Sequence, residues 1–179
     1  MGRKTSGKGS TPAIVELERA GVPFEIYEYE HSNDHMDDGY GIEAARKLGF
    51  DEHQVFKTLM ADTGAARVVG VVPVSGHMDL KALAAAVGAK KAAMADPKVA
   101  MRESGYVVGG ISPFGQRTRH ATVLDESALA YERILVSGGK RGFSVGIAPQ
   151  DLVRVLNAAT APIATWKPVV TRDRTPALS

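Results

Sequence analysis

A glycine-rich segment, residues 105–115 with the sequence GYVVGGISPFG, constrains the fold of this chain more than any other stretch. Its glycines admit left-handed backbone and let another group approach the main chain closely. Pro113 fixes its own φ and restricts Ser112 before it, so the segment predicts a shaped loop. Two interpretations stay open from these residues alone: a tight turn, or a wall of peptide N–H groups that faces a ligand carbonyl or phosphate.

Composition limits what can surround this loop. The chain has 179 residues, 44% hydrophobic and 23% charged, which is typical of one globular domain. It has no cysteine, which excludes disulfides, thiolate catalysis and cysteine-ligated metals. No apolar run approaches the roughly 18 residues of a membrane span, so we expect a cytoplasmic protein without a membrane partner. Because the net charge is only +2, contact with RNA has to rest on a local basic patch, and we expect no DNA partner.

Helix and strand patterns predict a single α+β domain over residues 11–165, between a disordered basic tail (1–10) and a C-terminal tail (166–179). Thr11, Asp79 and Asp96 stand where helix N-caps are expected, and Pro12 and Pro97 follow two of them. We predict a first helix between Thr11 and Gly21, and further helices over 42–48, 79–87, 97–104 and 149–157. We predict strands over 24–29, 54–61, 67–72, 92–95, 121–124, 134–137 and 143–148, with a hairpin over 54–72 and a turn over 138–142.

Lys57 stands out because it interrupts an apolar run, VFKTL at residues 55–59. Side chains alternate along a strand, so Val55, Lys57 and Leu59 share one face. A lysine on an apolar face is uncommon unless its charge has a partner, which favours a functional role. A lysine at a sheet edge that reaches solvent along its own stem is the alternative, and these residues do not decide between the two.

Several other patterns fail on inspection. The GYGIEA sequence at 39–44 matches a dinucleotide-binding pattern, but the polar residues before it cannot form the buried strand that the motif requires. A polar loop carries five candidate metal ligands, His31, Asp34, His35, Asp37 and Asp38, yet such a loop is ordinarily just solvated. No spacing indicates a nucleophile, base and acid acting together. We therefore expect neither a metal nor another cofactor.

Five segments together resemble the YbaK/EbsC family. They are VFKTL at 55–59, GAKK at 88–91, MADP at 94–97, the glycine-rich segment at 105–115, and VSGGKRG at 136–142. The resemblance spans Thr11 to Ala158 in order and without large gaps. It implies a mixed, partly barrel-like sheet flanked by helices, as in the editing domain of prolyl-tRNA synthetase. It also implies a free-standing enzyme that deacylates mischarged Cys-tRNA(Pro), with prolyl-tRNA synthetase as a partner besides the tRNA.

The resemblance carries specific site residues. It implies catalytic roles for Lys57, Gly109 and Gly110, and substrate-binding roles for Tyr29, Thr58, Ile111, Ser112, Pro113, Ser137 and Ser144. Close relatives carry an aspartate at the position of Ser144, so the hold on the substrate amino group, and with it the amino-acid preference, is in question. A basic rim is expected to contact tRNA, with candidates Lys47, Lys90, Lys91, Arg117, Arg119, Lys140 and Arg141.

The cleavage route and the substrate both stay open at this point. The thiol of a cysteinyl substrate can attack its own ester and leave as a thiolactone, which would make the enzyme a lyase, or water can attack, which would make it a hydrolase. Alanine or another small amino acid is an alternative substrate. A catalytically silent module that binds tRNA or a synthetase is the alternative outside the enzyme class.

Overall fold

The computed structural model describes residues 10–32 and 39–166, so most of both predicted tails lies outside the described residues. Five α-helices occur in that part of the chain: α1 (Pro12–Ala20), α2 (Tyr40–Leu48), α3 (Leu80–Ala86), α4 (Pro97–Ser104) and α5 (Pro149–Leu156). Thr11, Asp79 and Asp96 accept hydrogen bonds from main-chain amides of α1, α3 and α4 as predicted. These caps satisfy amides that would otherwise lack a partner, so local sequence sets where the three helices begin.

Ten strands form three sheets in the same ranges. They are β1 (Glu25–Glu28), β2 (Phe56–Asp62), β3 (Arg67–Pro73), β4 (His77–Met78), β5 (Ala93–Met94), β6 (Ala121–Asp125), β7 (Ile134–Lys140), β8 (Phe143–Ile147), β9 (Ala159–Ala161) and β10 (Ala164–Thr165). The five-stranded sheet has the order β5-β2-β3-β6-β9, and β1-β8-β7 and β10-β4 form the smaller sheets. The predicted hairpin is confirmed, because β2 pairs antiparallel with β3.

The two larger sheets meet at one point, a parallel bridge between Val55 and Leu135. The α+β class is confirmed, and the sheet is mixed because β6 runs parallel to both β3 and β9. The sheets curve around a shared core without closing into a barrel in the described part of the chain. That core holds Phe56 and Met60 of β2 together with Val136 and Phe143 of the β7–β8 hairpin.

The sequence prediction differs from the structure at the turn assigned to residues 138–142. Strand β7 continues to Lys140, and Arg141 and Gly142 alone connect it to β8. The ladder shifts register between Ser137 and Lys140, and Gly139 takes a φ of 111°. A glycine bulge therefore keeps the strands paired where the sequence suggested an open turn. Four short elements were not predicted: β4, β9, β10 and a 3-10 helix, Glu126–Ala130.

Candidate active site

An unpaired stretch of β2 opens the candidate site. On the side away from β3, the Gln54 carbonyl accepts from Leu135 and the Met60 carbonyl accepts from Ala95. Strand alternation then directs the peptide groups of Phe56 and Thr58 to that same side. The Val55–Leu135 bridge takes up the Phe56 amide, but no described strand pairs with the Phe56 carbonyl or with the peptide group of Thr58, because the sheets diverge after that bridge and β5 joins only at Ala61.

A cavity of about 340 Å³ lies along this open edge. Its size falls at the low end of the roughly 300–1,000 Å³ range of small-molecule sites, which suits a small acyl group. Its walls come from β2, from the start of α2, from the β5–α4 connection, from the glycine-rich loop and from the β7–β8 hairpin. Of the residues predicted to bind substrate or catalyse, the lining includes Tyr29, Lys57, Thr58, Gly109, Ile111, Ser137 and Ser144.

A buried side chain and two internal hydrogen bonds anchor the glycine-rich loop beside this cavity. The Phe114 side chain is fully buried in the core, and the Tyr106 hydroxyl donates a 2.6 Å hydrogen bond to the Phe114 carbonyl. Ser112 is also fully buried, and its hydroxyl accepts from the Phe114 amide. The loop is therefore shaped by its own anchors, in agreement with the prediction of a shaped loop.

The structure shows the tight turn, and the wall of amides that faces a ligand stays a prediction. The Gly110 amide donates to the Val107 carbonyl at 2.9 Å, which is a tight turn. Gly109 and Ile111 on either side line the cavity, and their amides have no acceptor among the residues that the structure describes. A Cβ on Gly110 would lie 2.8 Å from the Cα of Lys140, so Gly110 packs beneath the hairpin instead of lining the cavity.

Two further predicted substrate contacts lie away from the cavity. Ser112 is enclosed by the loop, and its carbonyl accepts from the Gln116 side chain. Pro113 lines a separate cavity of about 110 Å³, which Arg117 and Arg119 also line. Ser112 and Pro113 therefore contribute to the shape of the loop and not to the cavity wall. The structure brings only the first part of the predicted Gly109–Pro113 element to the candidate site.

Lys57 lines the cavity and is half-buried. Burial lowers the pKa of its ammonium because the charged form loses water. No carboxylate lies within ion-pair distance of Lys57 in the described part of the chain. A partly desolvated cation beside an enclosed space, without a protein counter-charge, is suited to hold an anionic or strongly dipolar ligand.

Thr58 contributes a second unmatched polar group. The residue is 8% exposed, and its Oγ1 has no hydrogen-bond partner within the described residues. A buried hydroxyl without a partner costs about 1–3 kcal/mol. This hydroxyl adds to the unpaired Phe56 carbonyl and Thr58 peptide group on the β2 side of the cavity.

The opposite wall is neutral. Ser137 and Ser144 face each other across β7 and β8, and both line the cavity. The Ser137 hydroxyl accepts from the Gly139 amide at 3.2 Å, whereas Ser144 is buried at 5% exposure. Tyr29 lines the cavity next to them, and burial, assisted by the Glu43 carboxylate, raises the pKa of its phenol. None of the described lining side chains is a carboxylate, so the cationic Lys57 and Lys140 set the local charge.

The predicted basic rim is spread over several places. Lys140 lines the cavity, and the Arg141 Nε beside it donates to the Val108 carbonyl at 3.0 Å. Lys90 and Lys91 are exposed between α3 and β5. Arg119 donates to the Val155 carbonyl near the end of α5, on the side of the smaller cavity. Only Lys140 and Arg141 of this set are brought next to the candidate site.

The remaining predicted residues that the structure describes, His31 and Lys47, do not line the cavity. His31 contacts the Glu43 carboxylate at 2.7 Å, and no group of three potential metal ligands occurs among residues 10–32 and 39–166. Asp34, His35, Asp37 and Asp38 lie outside the described residues. Lys47, at the end of α2, donates to the Glu30 carbonyl. A search of the described helices finds none that is both long and apolar enough to span a membrane.

Sequence reasoning missed one residue that organises the site. Tyr40, the first residue of α2, lines the cavity, and the Arg141 guanidinium lies 4.8 Å from its ring centroid. A Cβ on Gly41 would lie 2.2 Å from the Val74 side chain, so α2 starts very close to the end of β3. The glycines on both sides of Tyr40 were the only local signal of this close packing.

Comparisons with known proteins agree with this architecture. Residues 39–155 match the model of the aminoacyl-tRNA editing domain family. EbsC of Enterococcus faecalis strain ATCC 700802 / V583, to which Cys-tRNA(Pro)/Cys-tRNA(Cys) deacylase activity is ascribed, is 36% identical over 164 residues, which cover 91% of this chain and 97% of EbsC.

One solved structure shares the fold along almost its whole length. It is described as that of a candidate trans-editing enzyme for prolyl-tRNA synthetase, and it superposes with a TM-score of 0.77 at 22% identity, covering 90% of this chain and 99% of its own. The chain therefore belongs to the aminoacyl-tRNA editing domain family and acts in aminoacyl-tRNA editing.

Proposed function

We propose that this aminoacyl-tRNA deacylase removes cysteine from mischarged Cys-tRNA(Pro), with Cys-tRNA(Cys) as a second substrate. The observation that carries the proposal is the small cavity along the open edge of β2, which Lys57, Thr58, Gly109 and Ile111 all line. The 36% identity to EbsC, which has that activity ascribed to it, supports the choice of substrate. We propose residues 11–165 as the complete editing domain.

A separate editing site is needed because a synthetase cannot fully distinguish amino acids of similar size. One methylene changes binding by only about 1–3 kcal/mol, so a synthetase that activates proline accepts amino acids of similar size. A second cavity that accepts the wrong amino acid and hydrolyses or cyclises it restores accuracy. A volume of about 340 Å³ leaves room for a cysteinyl group and part of its ribose.

In the chemistry we propose, the protein positions the ester and supplies no nucleophile. The Gly109 and Ile111 amides donate to the carbonyl oxygen as negative charge develops on it. The Lys57 ammonium holds the ester or the terminal phosphate in place. Gly110 acts indirectly, because its turn sets the direction of the two neighbouring amides.

The substrate amino group needs a different partner, because no described carboxylate lines the cavity. We propose that the amino group donates hydrogen bonds to the open carbonyls of Phe56 and Thr58, with the Thr58 hydroxyl beside them. Ser137 and Ser144 then face the amino-acid side chain, and Tyr29 closes that wall. Neutral hydroxyls suit a small polar side chain, which is why cysteine is preferred here over a charged amino acid.

Two routes break the same bond between the acyl carbon and the ribose oxygen. In the first, the substrate thiol loses its proton, its sulfur attacks the carbonyl, and the ribose oxygen leaves and takes up a proton, so that thiolactone and free tRNA result. In the second, water attacks and the free amino acid results. The absence of cysteine in the chain agrees with either route, because neither needs a protein thiol.

Alanyl-tRNA is the second candidate substrate, and the specific observation that favours it is the neutral Ser137–Ser144 pair. A smaller side chain without a thiol would force the water route. For tRNA, we propose contacts with Lys140 and Arg141 near the cavity, and keep Lys90, Lys91, Arg117 and Arg119 as predicted contacts farther away. We also propose prolyl-tRNA synthetase as a partner and the cytoplasm as the location, since tRNA is charged there.

The deciding experiment is a deacylation assay on matched substrates with product identification. The purified chain is incubated with Cys-tRNA(Pro), Cys-tRNA(Cys), Ala-tRNA(Pro) and correctly charged Pro-tRNA(Pro). We expect rapid loss of cysteine and no loss of proline. Faster loss of alanine than of cysteine would replace the main substrate by the alternative, and failure on all mischarged substrates would leave a binding module.

A further inference from the structure

The mouth of the cavity carries large apolar side chains beside its cations, although it must admit the end of a polyanion. Of the residues that line the cavity, the exposed ones are Met94, Pro97, Val108 and Lys140. Met94 is 49% exposed and Val108 is 40% exposed, so two large apolar side chains meet solvent at the same entrance. These exposed apolar side chains therefore suggest that an apolar part of the ligand packs on them.

The two sides of the mouth come from different elements. Met94 lies on β5 and Pro97 begins α4, whereas Val108 belongs to the glycine-rich loop. Lys140 and Arg141 stand beside Val108, and the Arg141 Nε holds the Val108 carbonyl at 3.0 Å. Apolar contacts and cations are thus placed side by side at one entrance.

The order of groups in a charged tRNA decides what reaches this entrance. The aminoacyl ester is attached to the ribose of the terminal nucleotide, so a cavity that encloses the ester has that nucleotide at its mouth. The base offers an apolar face, and the phosphate before it offers negative charge. These are the two properties that Met94 and Val108, with Lys140 and Arg141, are suited to bind.

We propose that Met94 and Val108 form a subsite for the terminal base of the tRNA, on which the base packs while Lys140 and Arg141 hold the adjoining phosphate. This inference rests on the proposed function, because it requires an acylated tRNA end in the cavity. It assigns the affinity for the acceptor end to apolar packing at the mouth, and it needs no hydrogen bonds that read the base.

A double-mutant cycle between protein and substrate tests the contact. One arm replaces Met94 by glutamine (Met94→Gln), which keeps the chain length and removes the apolar end. The other arm uses an acceptor helix whose terminal nucleotide lacks its base and is acylated chemically with the same amino acid. We expect each change alone to lower kcat/KM about tenfold, from the apolar area that is left exposed.

The combined change distinguishes contact from independence. If Met94 packs on the base, wild type and Met94→Gln deacylate the abasic substrate with nearly the same kcat/KM. The two effects then do not multiply. Multiplied effects, about 100-fold in total, would overturn the proposal. Wild-type protein that leaves the normal substrate intact would instead refute the proposed function, so the two failures are distinguishable.

The chain offers a matched control beside Val108. Val107 is 52% exposed and belongs to the same loop, but it does not line the cavity. We expect Val108→Ser to lower kcat/KM severalfold on the normal substrate and not on the abasic one, and Val107→Ser to match wild type on both. Equal losses in the two serine variants would overturn the assignment of Val108.

Discussion

Gly109 lies so close to the face of Tyr40 that a Cβ on the glycine would come within 2.6 Å of the ring. This contact joins the glycine-rich loop to the first residue of α2, two elements that are far apart in the sequence. Gly109 also has a φ of 88°, so its conformation and its surroundings both require glycine. The position of Gly109 in the cavity wall therefore depends on the fit against Tyr40.

This relationship predicts different outcomes for two glycines with the same backbone conformation. Gly64 has a φ of 89°, and a Cβ added there would meet nothing within 4 Å, so Gly64→Ala should cost about 1–2 kcal/mol of stability and leave deacylation unchanged. Gly109→Ala carries the same strain and also displaces Tyr40, so we expect kcat/KM to fall by more than about tenfold. Urea unfolding and steady-state deacylation measure the two effects. Equal activity in both variants would show that the fit against Tyr40 is not needed.

Gly110→Val should also abolish deacylation, by displacing the hairpin from the loop. The Cβ of the new valine would lie 2.8 Å from the Lys140 Cα and 3.0 Å from the Arg141 backbone nitrogen, so the side chain would clash with the hairpin. We therefore expect lost activity together with weaker tRNA binding, which filter binding would detect. Wild-type activity would show that the loop is only a turn.

Lys57→Met should reduce kcat/KM by about 100-fold or more, because the cation that positions the ester is lost. The variant should still fold, since methionine fills a similar volume beside Val55 and Leu59. An exposed lysine of α3 supplies the control, and Lys81→Met should match wild type. Unchanged turnover of Cys-tRNA(Pro) by Lys57→Met would contradict the role of Lys57.

The lowered pKa of Lys57 also predicts how stability depends on pH. Burial penalises the charged ammonium, so the folded protein loses stability from Lys57 below its folded pKa, and regains it as the pH rises through that pKa. Lys57→Met should therefore be more stable than wild type at neutral pH, with a difference that shrinks as the pH approaches the ordinary lysine pKa. Urea unfolding at a series of pH values measures this difference. A constant difference across that range would argue against burial of the charge.

Two threonines of equal exposure give the sharpest contrast. Thr11 and Thr58 are each 8% exposed, but the Thr11 hydroxyl donates to the Gly138 carbonyl and accepts from Ile14, whereas the Thr58 hydroxyl has no partner in the described chain. Thr11→Val should cost about 1–2 kcal/mol of stability. Thr58→Val should leave the free energy of unfolding unchanged or raise it by about 1 kcal/mol, while kcat/KM falls. A stability loss in Thr58→Val would mean that its hydroxyl serves the fold.

Salt dependence tests the basic residues near the mouth. Removing one phosphate contact lowers the slope of log K against log[salt] by about one. We expect this change for Lys140→Gln and none for Lys81→Gln, which removes an exposed lysine of α3. The measurement is the affinity for an acceptor helix that carries no amino acid, determined over a series of salt concentrations. An unchanged slope in Lys140→Gln would remove Lys140 from the tRNA contacts.

Local sequence was enough for much of this protein. The helix starts at Thr11, Asp79 and Asp96, the hairpin of β2 and β3, and the shaped loop around Pro113 follow from short-range rules of capping, alternation and backbone restriction. The five motifs, taken together, also indicate the editing family. The caps, the hairpin and the loop are each decided by residues close together in the chain, and the family by motifs that need no contact between them, so the sequence by itself determined these features.

The tertiary structure alone decided which of these groups share a cavity. The edge of β2 is open because two sheets diverge after Val55, and no pattern within β2 shows where a distant β7 turns away. Pro113 and Arg117 face a second cavity although they follow Gly109 closely, because the buried Phe114 turns the loop around. A chain's periodicity specifies which face a residue occupies, whereas the space in front of that face depends on packing between remote elements.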